Sequence, residues 1–202
     1  MAARPKHRDR LIHSAVALFR KQGYAATGIN DILAAAGAPK GSFYHYFPNG
    51  KEQLGEAAVR YAGERVLDTL RDLRRQHGNS ADALRAYGEL LTGWMAQSGF
   101  ADGCPLATTL LETTPASRLI TDAGREAIQN WRREWETLLI DDGIQADRAR
   151  PLASLILSAL EGALVQARVE CHGQAIADAC ASLADQINAL RPKAPEIAPK
   201  PL

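Results

Sequence analysis

Residues 37–54 read GAPKGSFYHYFPNGKEQL. Aromatic residues at this density ordinarily fill a core, yet here they alternate with Lys40, Ser42 and His45, which carry charge or form hydrogen bonds. The preceding segment supplies the context. Ile29, Ile32, Leu33 and Ala36 recur at three- and four-residue steps and predict a short helix that Gly37 breaks. Pro39 suits the first turn of the next helix, where its missing N–H costs nothing. That helix is expected to run to about Phe47, and Pro48-Asn49-Gly50 signals a turn. Two short helices joined by a tight turn form a helix-turn-helix pattern. On the second helix Phe43 and Phe47 are one turn apart and are expected to face inward against Ile32, Leu18 and Phe19, leaving Lys40, Gly41, Ser42, Tyr44 and His45 outside. This outer face suits double-stranded DNA. Tyr44 and His45 can donate to phosphate oxygens, Gly41 and Ser42 are small enough for a helix settled in the major groove, and Lys40 can reach a guanine edge or a phosphate. Lys51 opens the next helix, where its charge and the free backbone N–H groups can meet another phosphate.

Working outward, helical spacing dominates. Leu11, Ile12, Ala15, Leu18 and Phe19 predict a first helix that stops near Gly23. A long helix is expected from about Lys51 to Gln76, and another from an N-cap at Ser80 to about Ser98. A short one starts near Pro105, one extends from Thr114-Pro115 to about Leu139, and two more cover about 147–171 and 174–190. No stretch alternates like a strand. The expectation is an all-α fold of about nine helices: an N-terminal three-helix helix-turn-helix domain over 1–50 and a C-terminal helical domain over 51–190. The tail RPKAPEIAPKPL, residues 191–202, is proline-rich and expected to be disordered.

Charge supports the division. Residues 1–60 hold nine Lys/Arg against four Asp/Glu, a net +5, whereas 61–202 hold 15 against 19, a net −4. A basic head on a mildly acidic body suits an anionic partner for the head. No run of apolar residues suggests a transmembrane helix, and the charged N-terminus lacks the apolar stretch of a signal peptide. The three scattered cysteines, Cys104, Cys171 and Cys180, point to a reducing cytoplasm rather than a disulfide framework.

The stretch AVALFRKQGYAATGINDILAAAGAPKGSFYHYFPNGKEQL resembles the DNA-binding domain of the tetracycline-repressor (TetR) family. The positions that carry the resemblance are Leu18-Phe19, Gly23-Tyr24, Thr27, Ile32, Ala36-Gly37, Gly41-Ser42, Tyr44, Phe47 and Lys51-Glu52, and the match spans about residues 8–56. Two departures occur: Gly28 stands where a hydroxyl residue commonly caps the second helix, and FPNGKE is one residue longer than the usual loop. That loop and the later GCPLATTLLE resemble the LmrA/YxaF-like subgroup of multidrug-efflux repressors. The resemblance implies a homodimeric transcriptional repressor that binds a palindromic operator and is released by a small-molecule effector. Thr27 and Tyr46 join Lys40, Gly41, Ser42, Tyr44, His45 and Lys51 as expected DNA contacts.

The resemblance also implies where the body works. Its last two helices are expected to form a four-helix bundle with those of a second subunit, through Leu155, Ala159, Gly162, Ala163, Ile176, Ala179, Leu183 and Ile187. Burial within one chain is the alternative. The three tryptophans, Trp94, Trp131 and Trp135, all fall between residues 94 and 135. With Met95, Phe100, Cys104, Leu106, Leu110 and Gln166 they are expected to line a cavity for a mostly apolar aromatic effector, the alternative being a solid core. Thr108, Glu112, Asn130 and Glu161 are further polar candidates. Cys104 sits before Pro105 at a predicted helix start, where the helix dipole would favour a thiolate, so a thiol-based redox or electrophile sensor is the second functional reading. Cys171-His172 lacks the second ligand pair of a metal site, and no cofactor is expected. An enzyme is disfavoured because no phosphate loop, metal motif or nucleophile elbow appears.

Overall fold

The computed structural model describes residues 6–192. Of the tail expected to be disordered, all but the first two residues lie outside this range. Among the described residues there are nine helices and no strand: α1 (Lys6–Gln22), α2 (Ile29–Ala36), α3 (Lys40–Tyr46), α4 (Lys51–Gln76), α5 (Ser80–Gln97), α6 (Ala107–Thr113), α7 (Arg118–Asp141), α8 (Ala146–Glu170) and α9 (Gln174–Leu190).

The head is built by the apolar stripes of α1–α3. Leu11, Ile12, Ala15 and Phe19 of α1 meet Ile32, Leu33 and Ala36 of α2, and Phe43 and Phe47 close the cluster. Burying a side chain such as Phe43 contributes about 1.5–3 kcal/mol, and this holds the seven-residue α3, too short to persist alone. Left-handed glycines set the turns: Gly23 (φ 86°) ends α1, its N–H donating to the Phe19 carbonyl at 2.9 Å, and Gly37 (φ 55°) ends α2. The missing hydroxyl cap at Gly28 is offset by Asp31, whose Oδ2 accepts from the Gly28 N–H at 2.9 Å. Leu54 and Ala58, from the first two turns of α4, belong to the head cluster, whereas Val59 and the later apolar residues of α4 belong to the body.

In the body α4 packs on α7, α5 on α9, and α8 on both α7 and α9. The α4–α7 contact is close because Gly63 faces Ala127, and a Cβ on Gly63 would lie 2.7 Å from the Ala127 Cβ. Three helix starts differ from the sequence expectation. Asn79, not Ser80, caps α5, its side chain accepting from the Asp82 N–H at 2.9 Å; Ser80 is buried, and its N–H donates to Asp142 at 2.7 Å. Short polar side chains compete for such positions, and the one with the free N–H groups in reach wins. Helix α6 begins at Ala107 rather than Pro105. Helix α7 begins at Arg118, capped by Ser117, whose side chain accepts from the Ile120 N–H at 3.3 Å.

Candidate nucleic-acid interface and cavity

The outer face of α3 forms as the spacing implies. Phe43 and Phe47 are buried, while Lys40, Gly41, Tyr44 and His45 are exposed and Ser42 and Tyr46 half-buried. The Tyr44 ring stands edge-on to Phe43 at 5.1 Å, so the core phenyl orients the exposed phenol. His45 and Tyr46 pair similarly at 4.8 Å. A Cβ on Gly41 would meet nothing within 4 Å. Nothing inside the chain therefore requires glycine there, and its small size is free to serve an outside surface.

Two expected DNA contacts are placed elsewhere. Thr27 is fully buried, and its hydroxyl donates to the Gly23 carbonyl at 2.7 Å, closing the α1–α2 turn. Lys51 does not point its ammonium outward. Nζ donates to the Tyr24 carbonyl at 2.6 Å and lies 4.3 Å from the centre of the Tyr24 ring. Burial lowers the Lys51 pKa, and nearby Glu112 partly opposes the shift. Glu112 also accepts from the Ala25 N–H at 2.5 Å. Lys51, the first residue of α4, thereby reaches the carbonyl at the start of the α1–α2 turn. Lys51 thus braces the head against α4 and α6.

Below the head lies a cavity of about 600 Å³. Four of the expected residues line it: Trp94, Met95, Cys104 and Trp131. Trp131 keeps its ring on the wall while its Nε1 donates to the Gly63 carbonyl at 2.8 Å. The other five lie off it. Trp135 is buried in the solid core beside Tyr87, with ring centres 6.1 Å apart. Leu106 is buried, Phe100 packs at the core edge, Leu110 fills the gap left by Gly124 on α7, and Gln166 faces outward from α8. The tryptophan cluster is therefore partly core and partly cavity: Trp131 and Trp135 share a helix side, but only Trp131 reaches the cavity.

The sequence reading missed the cavity's other walls. Val16 and Arg20 come from α1, Tyr61 and Arg65 from α4, Tyr87 and Leu91 from α5, and Leu157, Leu160 and Leu164 from α8. Arg20 is decisive for the geometry: it forms an ion pair with Asp102, and its carbonyl accepts from the Gly103 N–H at 3.2 Å. The end of α1 is thus tied to the loop between α5 and α6 at the cavity wall. Arg20 and Asp102 lie 82 residues apart, so no local sequence signal pairs them.

Cys104 departs from the activated-thiol expectation. It precedes α6 by a full turn and is buried, so burial first, then the Glu161 charge, push its thiol well above the ordinary range. The Ala107 N–H, at 3.5 Å from Sγ, opposes this only in part. Burial likewise pushes Cys180 up to about 11.

The expected dimer residues also divide. Leu155 and Gly162 are exposed and Ala159 and Ala179 half-buried, whereas Ala163, Ile176, Leu183 and Ile187 are buried within the chain. On a helix of 3.6 residues per turn those four point away from the open side; Ile176, for instance, packs near Gly88 of α5. The open stripe of α8 instead runs through Leu155, Ala159, Gly162 and Val169, with Val165 beside it. By length and composition alone α8 is long and apolar enough to cross a membrane, as a core helix also can be.

Comparison with known proteins accords with this geometry. The sequence family described as bacterial regulatory proteins of the tetR family matches residues 11–58, and the C-terminal domain of LmrA/YxaF-like transcriptional regulators matches residues 80–182. The chain is 31% identical over 165 residues to the HTH-type transcriptional regulator YxaF of Bacillus subtilis, covering 82% of this chain and 86% of that protein. It is 30% identical over 158 residues to the HTH-type transcriptional regulator LmrA of the same organism, covering 78% and 84%. A TetR transcriptional regulator from Chloroflexus aurantiacus superposes with a TM-score of 0.76 at 30% identity, covering 92% and 96% of the two chains. The regulatory protein TetR from Rhodobacter sphaeroides shares the fold with a TM-score of 0.80 at 24% identity, over 89% and 97%.

Proposed function

Because the chain belongs to the TetR family and is a DNA-binding transcriptional regulator with an LmrA/YxaF-like C-terminal domain, we propose that it is a homodimeric repressor that a small, mostly apolar aromatic effector releases from a palindromic operator. The observation that carries this reading is the position of the cavity. Its wall includes Val16 and Arg20 of α1, the helix whose Leu11, Ala15 and Phe19 pack against α2 and α3. A molecule in the cavity touches the helix on which the reading head is mounted.

Lys40, Gly41, Ser42, Tyr44, His45 and Tyr46 form the DNA-facing set of each head. One such helix reads few base pairs, so specificity comes from two heads spaced about 34–36 Å apart on one DNA face. The open stripe of α8, with Ala175 and Ala179 of α9, is the surface that joins the subunits. The effector releases DNA only by binding the non-DNA arrangement more tightly. Displacing Arg20 from Asp102 is the step that frees α1 to tilt. The site of action, on DNA, is the cytoplasm.

The test is a titration of operator-bearing DNA from upstream of the protein's own gene, measured by fluorescence anisotropy at several salt concentrations. Binding should weaken steeply with salt and be reversed by effector. A protein that binds operator and scrambled DNA equally, with no effect of any cavity ligand, refutes the reading. The thiol-sensor reading has one observation in its favour, that Cys104 lines the cavity. Its raised pKa opposes attack on oxidants. Cys104→Ser decides: loss of a response to peroxide or electrophiles, with none to planar ligands in the wild type, selects that reading.

A further inference from the structure

Resting on the reading of the cavity as the effector site, we propose that the effector carries a positive charge, and that Glu161 is the group that selects it. Glu161 projects from α8 between Leu157, Leu160 and Leu164 of the same wall, close to Tyr87 and Cys104. Among the described residues no arginine, lysine or histidine forms an ion pair with it, and the Cys104 thiol is its neighbour on the wall. The other carboxylate of the cavity, Asp102, is held by Arg20. The remaining cation, Arg65, is exposed on α4. The charge left unmatched on the inner wall is therefore negative.

The rings point the same way. Tyr87 and Trp131 are buried, Trp94 is partly exposed, and all three line the same space. Aromatic faces attract cations, and a carboxylate among them adds a charge-assisted partner. With Arg20 and Asp102 matched to each other, an anion would meet the unpaired Glu161 with only Arg65, in solvent, to favour it. A neutral ligand would fill the space but leave a partly desolvated carboxyl without a counter-charge.

Protonation follows with a definite sign. Burial raises the Glu161 pKa, and the neighbouring Cys104 thiol partly opposes the shift. A cation holds the carboxylate in its charged form, so its affinity is full above the raised pKa and falls as pH drops through it. The groups facing Glu161 are Arg20 from α1, Arg65 from α4, Tyr87 from α5, and Asp102 and Cys104 from the loop. Tyr87 and Cys104 are both pushed upward and stay neutral between about pH 5 and 8. Arg20 and Asp102 are paired with each other, and Arg65 is exposed on α4.

The experiment uses the full-length protein and three probes that share one ring: trimethyl(naphthalen-1-ylmethyl)ammonium, 1-naphthalenemethanol and 1-naphthoate. Affinities are measured by calorimetry. The cation should bind about tenfold or more tightly than the alcohol, and the carboxylate most weakly. Glu161→Gln, which keeps the shape of the side chain, should erase the cation preference. In the wild type the cation's affinity should fall as the pH is lowered through the raised Glu161 pKa while the alcohol's does not, a readout that does not depend on the variant folding. If the three probes bind alike, or the anion binds best, the charge assignment is overturned while the cavity reading stands. If the preference survives in Glu161→Gln, Glu161 is not the selecting group. If no probe binds, the cavity reading itself fails, and this proposal with it.

Discussion

Gly162 is the position where subunit association can be probed without disturbing the monomer. A Cβ there meets nothing within 4 Å, so Gly162→Arg leaves the packing of α8 on α7 and α9 intact. It does place a long charged side chain in the middle of the open stripe. Leu155, Val165 and Val169 are 47%, 65% and 78% exposed. Fully burying a Val or Leu contributes about 1.5–3 kcal/mol, so covering what remains open contributes about 3–6 kcal/mol per subunit and twice that in a twofold pair. Association itself costs about 4–15 kcal/mol, so the dimer has little surplus to lose. Val169→Asp removes about 1.5 kcal/mol per subunit, about 3 kcal/mol in the pair, which is a hundredfold or more in the dimer dissociation constant before the cost of burying the charge. Sedimentation equilibrium gives that constant, and thermal melting checks that the monomer is intact. Both variants should yield folded monomers that bind operator poorly. If Gly162→Arg and Val169→Asp both remain dimeric with wild-type constants, the α8 stripe is not the interface.

Tyr44→Ala should weaken binding to operator and scrambled DNA alike while leaving the salt slope near wild type, because a neutral phenol bonds a phosphate without displacing a counterion; anisotropy at several salt concentrations reads both. Thr27→Val should leave that slope unchanged but destabilise the fold by about 1 kcal/mol, because the hydroxyl bond to the Gly23 carbonyl is lost; a denaturant titration measures it. Trp131→Phe should cost a similar amount through the lost bond to the Gly63 carbonyl and also blunt the effector response, whereas Trp135→Phe should affect stability alone. Asp102→Asn should leave DNA affinity without effector near wild type and shift the effector concentration needed for release, because it weakens the tie to Arg20.

The head was legible because its signals are local. Three- and four-residue spacing, Gly23, Gly37 and the split between Phe43 and Tyr44 each lie within one or two helical turns. What the sequence hid was long-range. Lys51 and Tyr24 are 27 residues apart, so nothing in the local pattern around Lys51 tells whether its ammonium faces solvent or a carbonyl. Arg20 and Asp102 are 82 apart, and the cavity wall they share is assembled only by tertiary packing. The same limit separates Trp131 from Trp135: four residues apart they share a helix side, but which ring meets space and which meets Tyr87 depends on α5. For α8 and α9, apolar residues on two sides revealed two partners but not which residue faced which.

Helix α4 has a practical consequence for anyone exchanging reading heads between relatives. A joint at residue 50 follows the visible turn, yet it would separate Leu54 and Ala58 from Phe19, Ile32 and Phe43, with which they share one cluster. Each chimera would then inherit a head whose floor was shaped by another parent. A joint just after Ala58, inside the helix, keeps that floor with its own ceiling. Lys51 and Tyr24 travel together across the same cut, so the brace would survive the exchange. Glu112 remains behind, and the recipient must supply a carboxylate that meets the incoming Ala25 N–H.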